Sequence, residues 1–288
     1  MKQHMKLTFS LLALLSISSH ADDLDYGVAK ARWFFYGDLD SKNNQGELEM
    51  QQWRLQTPIR KPWKLGDDLF FMPSIRYELI DLDSASFVAN AFEEELHMLE
   101  LPLLFAYQPD QSPWSYNARI SPGISSDLQS ITTDDLFCDA RLGAGYQINS
   151  RFNINFGISY TRAIGEPQVF PYLGFVYQMS DQWQIAWRGF SFEARCQLTE
   201  DWIFRLTSEA TGGYWNVEST DAESISLQSY RAGFTIEREL REDLWVVAGA
   251  GYTLGNELNW ISDAGRTVRR EEFDNGGYLT LGLRLRDW

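Results

Sequence analysis

Cysteine, histidine and long apolar runs are scarce in this chain, and each scarcity removes a class of protein. Two cysteines in 288 residues, Cys138 and Cys196, exclude a disulfide-stapled scaffold or a Cys-held metal centre. Of the three histidines only His97 follows residue 21, which leaves little for His-based catalysis. No stretch after residue 21 offers eighteen uninterrupted apolar residues, so helical membrane spans are excluded. Basic charge is also short: 25 Lys and Arg stand against 40 Asp and Glu, which argues against nucleic acid as a partner.

The first residues read as an export signal. Lys2 and Lys6 give a positive start, Leu7 to Ile17 an apolar stretch, and Ser19-His20-Ala21 a small-x-small cleavage site. The division expected is a signal peptide over 1–21 and one large domain over 22–288, with no linker or low-complexity run. Export would place the two cysteines in a disulfide-permissive compartment. Both fall on the apolar parity of strands about four apart, so they read as small hydrophobes rather than a bridge.

What the chain does have is a repeated unit: a short polar or acidic turn, an aromatic residue, then alternation of apolar with polar. Asp181-Gln182-Trp183, Glu200-Asp201-Trp202 and Glu242-Asp243-Leu244-Trp245 each open such a strand, as do Phe152 and Trp114. The clearest case runs from Phe152 to Thr161. Phe152, Ile154, Phe156, Ile158 and Tyr160 share one face; Asn153, Asn155, Gly157, Ser159 and Thr161 share the other. A soluble sandwich would alternate too. It would have no reason to repeat an aromatic at matching strand ends, whereas a membrane barrel carries its girdle there. Tyr160 follows Phe152 by roughly 27 Å of extended chain, enough for most of a barrel's apolar band.

The fold class predicted is therefore all-β, a transmembrane antiparallel up-and-down barrel of about fourteen strands. They are read near 26–36, 47–60, 69–81, 95–108, 114–125, 135–148, 152–163, 169–179, 183–188, 190–198, 202–217, 224–239, 244–259 and 276–288. Losing the tight hairpin at Arg188-Gly189-Phe190 with one further pair would give twelve, and the sequence leaves both numbers open. Short turns fall on one side and longer segments on the other, as in the outer membrane of a Gram-negative bacterium. Two irregularities stand out. Trp288 lies off the apolar parity of Leu279 to Leu285, and the 224–239 strand switches parity from Ile225 and Leu227 to Tyr230, Ala232, Phe234 and Ile236.

The stretch from Tyr172 to Trp183, followed by Phe192 to Trp202, resembles a family of exported bacterial outer-membrane β-barrel proteins known only as a domain of unknown function. The resemblance is clearest from about 165 to 260. It implies the barrel fold and brings no catalytic or binding residues with it.

The polar parity carries the candidate functional residues. Arg54, Arg76, Arg119, Arg141, Arg195, Arg205, Arg231, Arg284 and Arg286 are assigned to the lumen, with Glu78, Glu100, Asp139, Glu193, Glu209 and Glu237. An arginine in mid-bilayer lipid costs about 2–4 kcal/mol, so this parity must face inward. The acid is expected in loops: Asp81, Asp83 and Glu93 to Glu95 in one, Asp127, Asp134 and Asp135 in a second, Glu218, Asp221 and Glu223 in a third. A basic wall facing an acidic loop suits a pore for small polar solutes. Alternatively the charges pair (Arg76 with Glu78, Asp139 with Arg141, Glu193 with Arg195) and plug a barrel of structural, adhesive or envelope-assembly role. A barrel hydrolase would need a Ser beside His97, and none is near it in sequence; Asp67-Asp68 and Asp134-Asp135 read as turn formers. No cofactor or metal site is expected. The partners expected are outer-membrane lipid, lipopolysaccharide and the outer-membrane assembly machinery.

Overall fold

The computed structural model describes residues 28–42, 46–84, 93–218 and 222–285. The described residues form strands and turns without helix, as the alternation predicts. Fourteen staves run in chain order. The first four are β1 (Ala29–Tyr36), β2 (Glu47–Pro58), β3 (Leu69–Asp83) and β4, in two pieces (Glu93–Glu100 and Leu103–Tyr107). Then come β5 (Trp114–Ser126), β6 (Leu136–Asn149), β7 (Phe152–Thr161), β8 (Gln168–Gln178) and β9 (Trp183–Arg188). The last five are β10 (Ser191–Thr199), β11 (Trp202–Asn216), β12 (Ser224–Arg241), β13 (Leu244–Ile261) and β14, again in two pieces (Thr267–Phe273 and Gly277–Leu285).

Each stave pairs antiparallel with the next, and β1 closes the ring on β14 with Ala29 opposite Leu285 and Tyr36 opposite Tyr278. The β9–β10 hairpin, on which the strand number hung, is present: Arg188 pairs with Ser191 across Gly189 and Phe190. A two-residue hairpin of this kind needs a left-handed first position, and Gly189 supplies it at φ +56°. The stave read as 95–108 breaks at Leu101-Pro102, where Pro102 has no N–H to give a ladder.

The lipid-facing parity is as predicted over the turn-end half. Phe156, Ile158 and Tyr160 are exposed on β7, as are Leu279, Leu281 and Leu283 on β14. Trp114, Trp183 and Trp202 stand exposed just after their turns and form the girdle at that end. Trp245 does not join them. It is 2% exposed and points into the lumen, because Leu244 takes the outward first place after its two-residue turn, as Trp202 does after Glu200-Asp201. Cys138 and Cys196 are free thiols on outward parity, with Cys196 covered between Trp183 and Phe204, its cross-strand neighbours. Trp288, Arg286 and residues 1–21 lie outside the described residues.

Halfway up the wall the polarity turns over. On β3, inward Arg76 and Glu78 give way to inward Ile80 and Leu82, while outward Ile75 to Leu79 give way to Asp81 and Asp83. On β2, inward Arg54 and Gln52 give way to Met50 and Leu48, and outward Leu55 and Trp53 to Gln51 and Glu49. On β4, inward Glu100 gives way to Met98 and Leu96, and outward Leu99 to His97 and Glu95. The parity switch expected on β12 is the same event. Its backbone stays in one register against β11, and Ile225 and Leu227 are simply inward and apolar. A pleated strand keeps its faces, so a change of residue class along one face reports a change of surroundings.

Above the changeover the staves enclose an apolar core. Phe34, Leu48, Ile80, Leu82, Leu96, Trp215, Ile225, Leu258 and Phe273 are all at most 2% exposed and belong to it. The outer face there is laced with ion pairs of the soluble kind, Lys42 with Glu272 at 3.1 Å and Arg270 with Glu257 at 2.6 Å. The acidic residues Asp81 and Asp83 belong to β3, and Glu94 and Glu95 to β4, so they line this upper wall instead of a loop. The extramembrane end is thus a turret, apolar inside and charged outside, standing on a membrane barrel with the opposite polarity.

Candidate functional site in the barrel interior

The turret is closed at one side by a seam across the ring. Asn216 at the top of β11 bridges in parallel to Ser126 at the top of β5, strands that are far apart in stave order. Asp127 donates its N–H to the Asn216 carbonyl at 3.2 Å, and Ser125 Oγ donates to the Tyr214 carbonyl at 2.6 Å. The upper part of β11 therefore folds inward. The turret core draws on β1–β4, Phe137 of β6 and β11–β14, with the top of β5 in the seam, and the rest of β6 with β7–β10 is left as the wall of a side compartment.

Below the turret lies a charged waist. Arg54 on β2 donates from Nε to Glu78 at 3.1 Å, and Arg76 from Nη2 to the same carboxylate at 2.8 Å. Glu100 stands 3.6 Å from Arg76. From β12, Arg231 donates from Nε to Glu209 at 3.1 Å and from Nη1 to the Tyr36 hydroxyl at 2.9 Å and Gln52 Oε1 at 3.0 Å. Arg54 joins the two halves: its Nη2 donates to Thr211 at 3.0 Å and its Nη1 lies 3.6 Å from Glu209. β2 and β11 share no ladder, so these contacts cross the lumen. A second cluster sits beside it, Arg205 with Glu193 at 2.9 Å and Glu237 at 2.7 Å, and Arg284 with Glu237 at 3.0 Å. In low dielectric such pairs hold only when both members are well bonded, and removing one partner strands the other.

Of the three near-neighbour pairs expected, Arg76 with Glu78 is formed, at 2.8 Å, and the acids of the other two also have partners on other staves. Asp139 accepts from Thr161 at 2.8 Å and lies 3.6 Å from Arg162. Glu193 is held by Arg205, and Arg195 donates to Gln197 at 2.9 Å. Side chains two apart on a strand share a face, and cross-strand neighbours on that face compete for the same carboxylates.

The side compartment holds the rest. Arg119 and Arg141 face each other across β5 and β6, both buried, and the Arg141 guanidinium lies over the Tyr172 ring. Asn117, Asn155, Ser159 and Arg188 are also buried there. Arg188, Arg162, Asn117 and Tyr172 were not singled out from the sequence. Arg188 was signalled: Ile185 and Trp187 face out, so Gln184, Ala186 and Arg188 must face in, but it was read as part of the turn. Three glycines, Gly143, Gly145 and Gly157, occupy inward positions on β6 and β7 and leave room for these side chains. A Cβ at Gly143 would meet the Tyr172 hydroxyl at 2.0 Å.

The wall of this compartment is low. β9 pairs with β8 only from Gly174 to Gln178, and β10 with β11 only as far as Glu209. Residues 168–173 and 210–216 rise past the hairpin on either side. Phe170 and Phe190 meet edge to face at 5.3 Å in the gap, and the turn at 162–167 lies over it with Gly165 against Ser226 and Gln228.

His97 stands on the outward parity of β4, opposite Leu79. Its Nδ1 lies 2.8 Å from the Tyr77 hydroxyl and its Nε2 3.7 Å from Glu95. Folding does place Ser126 opposite it, but that hydroxyl accepts the Leu128 N–H. Among the described residues no cluster of His, Cys, Asp or Glu could hold a metal ion.

These features define a closed bacterial outer-membrane type of barrel. The chain belongs to the family Domain of unknown function (DUF6268), whose model matches residues 73–286. It is similar in fold to the CymD monoaromatic hydrocarbon channel, at 11% identity and TM-score 0.48 over 90% of this chain and 88% of that one. An outer membrane channel from Pseudomonas putida F1 gives 10% identity and TM-score 0.47 over 90% and 94%. The translocator domain of the autotransporter NalP from Neisseria meningitidis gives 11% and 0.41 over 99% and 96%. No curated protein matches the chain.

Proposed function

We propose that this protein is an outer-membrane barrel closed to passive flow along its axis, with a structural or adhesive role carried by the turret. The polarity inversion carries this reading. A free axial pore needs a polar lining from end to end, and here Leu82, Leu96, Trp215 and Leu258, each 0% exposed, fill the outer half. Below them the lumen is crossed by Arg54, Glu209 and Arg231. In this reading the chain is exported by its N-terminal signal and inserted by the outer-membrane assembly machinery. Its belt meets lipid, and the base of its turret meets lipopolysaccharide. The test is current across a planar bilayer: purified barrel stays electrically silent, and a steady unit conductance overturns the proposal.

A second reading, a shut channel for small polar solutes, is favoured by one observation. The side compartment is polar, lies beside the turret and has a low wall, so a path through it would bypass the apolar core. Current seen only in a chain shortened across 162–167 supports this channel; silence in both forms supports the closed barrel. Neither reading assigns a catalytic residue.

A further inference from the structure

Arg188 is an unusual group to find inside a wall. It is 4% exposed, and its Nε and Nη2 make no hydrogen bond. The nearest carboxylate, Glu193, is already held by Arg205 at 2.9 Å, and Arg141 stands close enough to repel it. A buried guanidinium without full hydrogen bonding is costly, and an apolar residue of similar volume would be preferred if the position served only packing.

The surroundings are of one kind. Arg188 pairs across the sheet with Gly174, Gly174 with Asn155, Asn155 with Gly145, and Gly145 with Ser115. Gly174 puts no side chain between the guanidinium and the Asn155 amide. Asn155 is 1% exposed, and both ends of its amide are without partners; Asn117, on the next row, is 6% exposed and lies beside the Tyr172 hydroxyl. Two separate buried side chains, Arg188 and Asn155, therefore hold unused hydrogen-bonding capacity in one compartment, where Arg141 adds a second positive charge. Oxygen atoms bearing negative charge match that array, because a planar guanidinium and amide N–H groups bond them with charge assistance.

We infer that the compartment behind β5–β10 is a binding site for an oxyanion, a phosphate or carboxylate group, held by Arg188 with the Asn155 amide. The low wall above the β9–β10 hairpin is its approach. The site does not depend on whether the barrel conducts, and its test needs no current.

The test compares wild type with Arg188→Gln in nanodiscs of zwitterionic lipid, following the unfolding midpoint by the gel shift between folded and heated barrel. Inorganic phosphate raises the wild-type midpoint above that in chloride of equal ionic strength, because a ligand that binds only the folded state stabilises it. R188Q loses this response, its phosphate binding weakened about tenfold or more, while an exposed control, Arg60→Gln, keeps it. Without phosphate, R188Q folds and melts no lower than wild type, which separates loss of a ligand from loss of structure. A second arm replaces zwitterionic lipid with phosphatidylglycerol. A response there and not to free phosphate keeps the site and makes a lipid headgroup its source. Wild type and R188Q responding alike in both arms, or wild type responding in neither, overturns the inference.

Discussion

Arg54 Nη2 on β2 donates to Thr211 Oγ1 on β11 at 3.0 Å, across a lumen that the two strands border from different sides. The same guanidinium holds Glu78 on the adjacent stave and approaches Glu209 on the far one. One side chain thus ties two walls together at the level where the barrel changes from charged to apolar inside.

Cutting that tie by removing its acid should be costly. Glu209→Ala leaves Arg231 and Arg54 short of a counter-charge in a buried place, a loss of about 3–5 kcal/mol for a buried pair. Urea unfolding in lipid vesicles, read by the heat-dependent gel shift, measures it. A loss near zero would mean that water, and not Glu209, balances these arginines.

The turret core should behave like the inside of a soluble protein. Trp215 is fully buried beneath Ile225 and Leu258, and Trp215→Ala costs about 3–5 kcal/mol. Its effect should fall on the extramembrane end, so that limited proteolysis cuts the turret while the belt stays protected. Uniform loss across the whole barrel contradicts two differently built halves.

The belt obeys the opposite rule. Leu281 is 54% exposed on the outward face of β14, opposite Trp33 and Ala248. Leu281→Arg places a charge against lipid and costs about 2–4 kcal/mol, whereas the same charge on the outward turret face at Gln51→Arg costs little. Equal costs at the two sites would remove the boundary between them.

One turret loop carries a pH dependence. Partial desolvation, with the carboxylates of Asp263 and Asp134 beside it, holds the Glu223 carboxyl above its ordinary range. A raised folded-state pKa for an acid means the ionised form is disfavoured in the folded chain. The resulting penalty is present at neutral pH and is relieved as pH falls through the raised value. Glu223→Gln should raise stability at pH 7 and flatten its rise on mild acidification; unchanged pH dependence in E223Q contradicts the assignment.

Much of this architecture was legible before folding was considered. The alternation of Phe152 to Thr161 located a lipid face, and the aromatic at each turn located one end of the belt. Fourteen strands rested on Gly189, a single residue able to make the β9–β10 hairpin. The turret was not read, because one inside-outside rule was applied along whole strands. Its trace was in the sequence, in Ile225 and Leu227 on one parity and Tyr230 and Phe234 on the other, but two environments stacked along a strand imitate a slipped register. Trp245 stands one residue further from its Glu-Asp turn than Trp202 does, and one residue along a strand reverses the face a side chain takes. Arg188 was hidden by its place at the edge of a turn. The lumen-crossing contacts of Arg54 could not be seen at all, since nothing local says which distant stave a side chain will meet.

The central claim is that each wall changes its surroundings at one height. Spin labels placed singly at Tyr77, Leu79, Asp81 and Asp83 on β3, in lipid bilayers, report this through collision with oxygen or with a water-soluble nickel complex. The account predicts lipid-like accessibility at Tyr77 and Leu79 and water-like accessibility at Asp81 and Asp83, with the change falling between Leu79 and Asp81. Lipid-like accessibility continuing to Asp83 would contradict it.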